Sequence, residues 1–410
     1  MVIDRHEHAI RRRKMAPAFS ERALKEAERL MTISAQTLAE QIGSEKQGEW
    51  TRPQNMGHWA TFFGFDFISD LGYGKSFDML EKVENRWIPP VLRSASRFLY
   101  YVGYLPFIAL VRPLMGTSIQ NYIGGQSAAD SLKYTNLANS RLAERIASEE
   151  KIKREGEKPN RKDTFHYLLN SRDPVTGNGL TTEELQADSA LVIAAGADGV
   201  GLTLSATVFY LIRNPTVLAK LTQEIRSTFA TPADIQNPKL GNLPYLSACV
   251  DETLRLCPPK ASTLPREILA GGIELDGHHI PAGVTVGTPV YVLHHDETIY
   301  PSPWSYTPER WMADSETGVS TESVSKARAA LCPFLIGPMN CIGKNIAYFA
   351  LRASLAHLLW RYDVRQAGEV TGGGGGEGER EEGRRREDEY QMTDFILGFR
   401  DGPFVELRGR

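Results

Sequence analysis

Phe334, Gly337, Cys341 and Gly343 stand at the spacing F-x-x-G-x-x-x-C-x-G, with Pro338, Met339 and Asn340 between them. Behind them, Ile346 to Trp360 is mostly apolar, interrupted by Arg352, Ser354 and His357. That arrangement reads as a tight loop delivering a thiol to the start of a buried helix. The free N–H groups and partial positive charge of a helix N-terminus favour thiolate over thiol. A thiolate held this way can be the axial ligand of a haem iron. A lone cysteine before an apolar helix is most often a small buried hydrophobe. The extended pattern, which includes Pro338 and runs on through Asn340 to Asn345, argues against that reading.

Three further groups have types and spacings suited to a site. Glu252 and Arg255, at i,i+3, share one helix face. The same spacing recurs at Glu26/Arg29, Glu49/Arg52 and Glu382/Arg385, so it is the setting, just before Cys257-Pro258-Pro259, that singles this pair out. Ala194-Ala195-Gly196-Ala197-Asp198-Gly199 places one acid among small residues. Glycine inside a helix costs roughly 1 kcal/mol relative to alanine, so Gly199 is not a neutral choice. A helix packed closely on small residues explains Ala194 to Gly196 equally well. His8 and Arg12 lie at i,i+4 in a basic run with Arg11, Arg13 and Lys14.

Helical patterns position most of these residues. Ser20 to Ile42 has helical spacing of apolar residues. Thr181-Thr-Glu-Glu184 is a capping-box pattern, and the helix it opens continues to about Leu211, before Pro215. A helix so long and apolar must cross the core. Thr216 to Ala230 and Tyr245 to Leu256 are two more helices. From Ile273 to Leu293 the alternation predicts strands turning at Gly277 and Gly283. Glu369 to Glu389, with five consecutive glycines and then mixed charges, reads as a disordered surface insertion. Phe98 to Val111 is uncharged but too short to cross a membrane. It is either a buried or loop segment, or an apolar aromatic surface that touches a membrane and admits greasy substrate.

The chain has 410 residues, 41% hydrophobic and 24% charged, with a net charge of -3. That balance argues against nucleic acid as a partner. Four cysteines at irregular spacing, with no CxxC pair, make neither a disulfide framework nor a structural zinc site. No signal peptide opens the chain, and no run of 18 apolar residues predicts a transmembrane helix.

The cysteine loop resembles the haem-binding loop of the cytochrome P450 superfamily, and four other segments match in the family's chain order. By that resemblance Cys341 is the iron ligand of a haem b, with Phe334, Gly337 and Gly343 shaping the loop under the porphyrin. Glu252 and Arg255 resemble the family's K-helix pair and would join Arg310 of Pro308-Glu-Arg310-Trp311 in a buried charge triad. Arg266 of Leu264-Pro-Arg266, together with His8 and Arg12 of a segment similar to the C helix, would face the haem propionates. Gly196 would make room for dioxygen, and Asp198 would organise protons. The family usually has threonine where this chain has Gly199, and arginine where it has Met339.

The resemblance implies a mainly α fold with small β-sheets, an α+β cytochrome P450 domain spanning residues 1–410. Because the chain starts at what resembles the C helix, the anchor and the first helices and strands have no counterpart, and upstream coding sequence is expected to be missing. The implied activity is that of a fungal microsomal-type monooxygenase of secondary metabolism. It would hydroxylate a small apolar substrate with O2 and electrons from NADPH-cytochrome P450 reductase. It would act as a monomer at the cytosolic face of the endoplasmic reticulum. Two other readings follow from the departures: an isomerase or dehydratase working without the threonine, and a truncated, non-catalytic relative.

Overall fold

The computed structural model describes residues 4–43, 48–105, 107, 110, 113, 118–157, 161–368, 372–376 and 384–410. As expected, the chain is mainly α with small β-sheets. In chain order the main helices are α1 (Arg5–Met15), α2 (Glu21–Ile42), α3 (Met56–Tyr73), α4 (Ile88–Gly103), α5 (Ser118–Glu155, broken at Gly125) and α6 (Thr164–Asn170). They continue as α7 (Thr182–Arg213), α8 (Pro215–Thr228), α9 (Pro244–Leu256), α10 (Val290–His294), α11 (Thr321–Ala330) and α12 (Lys344–Arg361).

Local chemistry sets the helix ends. The Ser20 hydroxyl accepts the Ala23 N–H at 3.3 Å and starts α2. Thr181 and Glu184 form the predicted capping box at the start of α7. By length and composition α7 could cross a membrane, the one such helix among the described residues, but most of its apolar stretch is buried inside the molecule. It packs hardest against α3, where small residues remove the space a side chain would need. A Cβ on Gly64 would stand 2.3 Å from the Ala197 carbonyl oxygen, and one on Gly201 would stand 2.8 Å from that of Ala60. Contacts so close are open only to glycine.

The strands are β1 (Gln54–Asn55), β2 (Arg266–Glu267), β3 (Ile273–Leu275), β4 (His278–Ile280), β5 (Thr285–Val286), β6 (Tyr362–Gln366), β7 (Thr393–Phe395), β8 (Leu397–Phe399) and β9 (Phe404–Gly409). One antiparallel sheet has the order β1-β9-β6, and three two-stranded ladders pair β2 with β5, β3 with β4 and β7 with β8. The strand pattern expected up to Leu293 stops at Val286. Val290–His294 is helical instead, and the His294 carbonyl at its end accepts from the Arg255 guanidinium at 2.9 Å.

The glycine run differs from the disordered insertion expected over 369–389 in the parts that are described. Gly374 bridges Tyr390 antiparallel. The Gly375 and Gly376 amides donate to the Arg386 and Arg384 carbonyls, each at 3.0 Å. Arg386 lies over the Trp304 ring at 3.5 Å. Glycine allows this close stem because a Cβ on Gly375 would stand 2.2 Å from the Arg384 carbonyl oxygen. Composition predicts weak core-forming power there, but it carries no record of backbone pairing.

Candidate functional site

The cysteine loop turns where its glycines permit. Gly337 has φ +70° and opens a short 3-10 turn to Met339. The Cys341 amide then donates to the Phe334 carbonyl at 2.8 Å, closing the loop. Gly343 caps α12. Although Cys341 is exposed, the protein atoms around its sulfur partly desolvate it and raise the thiol above its ordinary range, while the Gly343 amide and the charges of Arg12 and Lys344 pull it down without reversing the shift. A coordinated cation deprotonates a thiol outright.

Arg12 is joined to this loop rather than left in a solvated basic run. Its Nη1 donates to the Asn340 carbonyl at 2.8 Å and its Nη2 donates to the Asn340 side-chain oxygen. Its neighbours are engaged elsewhere: Arg11 with Asp188 at 2.7 Å, Arg13 with Asp173 at 3.0 Å and Lys14 with Glu184 at 3.6 Å. Arg266, on β2, is exposed and donates to the neighbouring Pro265 carbonyl. His8 is half-buried on α1 and Met339 is exposed in the loop.

Behind the loop, Glu252, Arg255 and Arg310 meet as the resemblance implies. Arg255 Nη2 and Arg310 Nε donate to Glu252 Oε1 at 2.8 and 3.0 Å, and Arg255 Nε donates to Oε2 at 3.0 Å. Glu252 and Arg255 have no exposed side-chain surface. The Trp311 indole also donates to Oε2, at 2.9 Å, and the Thr307 amide to Oε1, at 3.0 Å. Arg255 Nη1 is taken by the His294 and Pro303 carbonyls at 2.9 and 2.7 Å. Each buried charge is thus paired and hydrogen-bonded, the condition for such a cluster to persist out of water.

On α7 the two candidate glycines face different ways. A Cβ on Gly196 would stand 2.3 Å from Ile68 Cγ1 of α3. Its missing side chain lets α7 pack closely on α3, where the resemblance gives it the task of making room for dioxygen. Around Gly199, among the described residues, only Pro259 comes near, at 4.0 Å, which leaves open space beside this position. The Thr203 hydroxyl one turn on donates to the Gly199 carbonyl at 2.8 Å. Asp198 is fixed by Arg400 Nη1 at 3.2 Å and by the Gly398 amide at 2.9 Å. Arg400 was not legible as a site residue, because nothing local in the sequence links it to Asp198.

Among the described residues, no three His, Cys, Asp or Glu side chains gather as metal ligands. A metal at Cys341 must bring its remaining ligands, as a porphyrin does. The residues present fit that group. The cysteine is exposed while Cys249 and Cys257 are buried, and Cβ positions on Gly337 and Gly343 meet nothing closer than the Cys341 sulfur at 3.9 Å. The sequence model described as "Cytochrome P450" matches residues 2–371.

The chain belongs to the cytochrome P450 family.

This P450 is 36% identical to "Cytochrome P450 monooxygenase fscF" of Fusarium equiseti, over 100% of the chain and 76% of that protein. It is 32% identical to "Cytochrome P450 monooxygenase AKT7" of Alternaria alternata, over 99% of the chain and 76% of that protein. It superimposes on the crystal structure of the cytochrome P450DA haem domain with a TM-score of 0.74 at 20% identity, covering 97% of this chain and 76% of that one. Family and fold imply a haem with cysteine thiolate ligation and an oxidoreductase of the monooxygenase kind.

Proposed function

We propose that this P450 hydroxylates a small apolar organic substrate, using O2 and electrons from an NADPH-dependent reductase. The observation that carries the reading is the Cys341 loop: an exposed thiol, closed onto the Phe334 carbonyl and tied to α1 through Asn340 and Arg12. A haem held there supplies oxygen activation. The chain's own residues do the rest. Cys341 offers the thiolate, Arg12 holds the loop that presents it, and Arg266 is available to a propionate. Asp198 marks the proton side, where Gly199 leaves open space in place of a hydroxyl. The reduced protein should give a thiolate-type carbon monoxide difference band that disappears in Cys341→Ala; its survival would sink the ligand assignment.

The open position at Gly199 and the engaged hydroxyl of Thr203 favour a second reading, an isomerase or dehydratase that needs no proton-delivering threonine. Gly199→Thr separates the two. If it lowers peroxide leakage during NADPH oxidation, the site is a monooxygenase short of a hydroxyl. Unchanged leakage favours the second reading.

The substrate entrance is the end of α4 beside the β7–β8 hairpin. Tyr101 and Tyr104 are exposed there, Phe107 and Leu110 are exposed in the chain that follows, and Tyr100 and Tyr101 pack on Phe395 with centroids at 5.3 and 5.8 Å. Such a patch fits peripheral contact with the cytosolic face of the endoplasmic reticulum and uptake of apolar substrate from the bilayer. Flotation of the protein with neutral liposomes, reduced by Tyr104→Ser with Phe107→Ser, checks it.

A further inference from the structure

Asp198 has both carboxylate oxygens engaged. Oδ2 accepts the Gly398 amide of β8 at 2.9 Å and Oδ1 accepts Arg400 Nη1 at 3.2 Å. Arg400 is built into place. Its side chain is 2% exposed. Nη1 also donates to the Gly398 carbonyl at 3.0 Å, and Nη2 donates to the Thr61 hydroxyl of α3 at 3.0 Å. Gly201, one turn along α7 from Asp198, leaves the room, since a Cβ there would stand 2.6 Å from Nη2. Among the described residues, Asp198 is the one carboxylate paired with this buried guanidinium.

The surroundings make this pairing directional. Arg93 reaches the same region from α4; burial first, and then the charge of Arg400, lower its pKa. Asp401, the next acid along the chain, is exposed and accepts from Asn55 at 2.7 Å. A carboxylate bonded through both oxygens cannot rotate freely. With glycine at 199, Asp198 is the polar side chain of that turn of α7, among Ala195, Gly196, Ala197, Gly199, Val200 and Gly201.

We propose that Arg400 is the positioning residue for Asp198 in proton supply. It holds the carboxylate in one orientation on the strand side of α7. The proposal rests on the monooxygenase reading. Reducing O2 to hydrogen peroxide takes two electrons and two protons, whereas reducing it to water takes four of each. Both routes take one proton per electron, so the ratio of water to peroxide formed during NADPH oxidation reports whether protons reach the oxygen that leaves as water when the O–O bond breaks, with no substrate needed.

The test uses the haem-loaded protein with reductase, in Arg400→Gln, Arg400→Lys, Asp198→Asn and the Arg400→Gln/Asp198→Asn double variant. Infrared spectra of protein labelled with 13C at aspartate carboxyls identify the Asp198 band by its loss in Asp198→Asn. In Arg400→Gln that band should shift and the water-to-peroxide ratio should fall about tenfold, the fold-change a charge-assisted contact carries. The one-point donor in Arg400→Lys should give intermediate values of both. The double variant should be no worse than Asp198→Asn. A purely structural tie between β8 and α7 would move the unfolding midpoint and the band while leaving the ratio unchanged, and that result overturns the proposal. An unmoved band overturns it as well. If Arg400→Gln does not fold, Arg400→Lys decides alone: no shift in band or ratio refutes. Failure of the monooxygenase reading appears separately, as a carbon monoxide band that survives Cys341→Ala.

Discussion

Glu252→Gln tests the reasoning about the buried charge cluster most sharply. Oε1 accepts from Arg255 Nη2, Arg310 Nε and the Thr307 amide, and Oε2 accepts from Arg255 Nε and the Trp311 indole. Glutamine can keep its carbonyl oxygen where three donors converge. Its NH2 then faces two N–H groups, Arg255 Nε and Trp311 Nε1, with nothing to accept from either. The variant also leaves Arg255, with 0% exposure, without its counter-charge. Breaking a fully buried pair in this way costs about 3–5 kcal/mol, a large part of the roughly 5–15 kcal/mol that holds a typical domain folded. The measurement is equilibrium urea unfolding followed by tryptophan fluorescence, with haem absorbance in parallel. Because the pair is out of water, the loss should persist in about 1 M salt, where exposed pairs are screened within roughly 3 Å. A loss under about 1 kcal/mol, or one that salt removes, would refute the account of the cluster as a desolvated network.

Asn340→Ala should remove the side-chain half of Arg12's hold on the cysteine loop while the bond to the 340 backbone carbonyl stays, and should raise the haem dissociation rate about 10-fold, the equivalent of about 1.5 kcal/mol for one hydrogen bond to a charged group; transfer of haem to apomyoglobin measures it. Gly199→Ala should be neutral or stabilising by up to about 1 kcal/mol, since a helix prefers alanine and the nearest atom is 4.0 Å away. Gly64→Ala should cost about 1–3 kcal/mol through overpacking, because its Cβ would meet the Ala197 carbonyl oxygen at 2.3 Å; thermal unfolding of the two variants side by side decides. Burial lowers His294, His295 and His357 to about 4. Below their unfolded value near 6.5 the unfolded chain binds protons that the folded chain refuses, so stability is full above about 6.5 and declines as pH falls towards 4. Asp66, raised by burial to about 6, works the other way and favours the fold at low pH. Unfolding free energies between pH 4 and 7 should therefore fall on acidification, and His357→Gln should flatten the slope; an unchanged slope removes His357 from the explanation.

What the sequence disclosed was local. The helix opened by Thr181, the i,i+3 pair Glu252/Arg255 and the glycine-framed Cys341 all depend on neighbours within a few residues, and periodicity and spacing register such neighbours. What it withheld was pairing across the chain. Asp198 could be read as an acid among small residues, but its guanidinium lies on a loop 202 positions later. Gly196 looked like a glycine of the reacting side because its motif is known from that side; the direction of its missing Cβ, towards Ile68, depends on where α3 lies. The glycine stem at 372–376 was misread for the same reason: its partners are carbonyls at 384 and 386, and backbone carbonyls leave no compositional trace. The indole of Trp311 and the His294 carbonyl joined the charge cluster without any sequence signal beyond their nearness to Arg310 and the end of α10.

Both faces of the candidate haem site are fastened by long stitches. Arg12 and Asn340 are 328 residues apart in sequence, and Arg400 and Thr61 are 339 apart. Closing loops of that length carries an entropy cost that must be met before the contacts repay it, and contacts of high separation form slowly. The helices around α7 can assemble from nearer neighbours, while the cysteine loop and the acid clamp wait for segments 328 and 339 residues apart to meet. Cofactor capture is then a closing event of folding rather than its seed. A population arrested late, with helices formed but these stitches open, would hold its secondary structure and fail to retain haem.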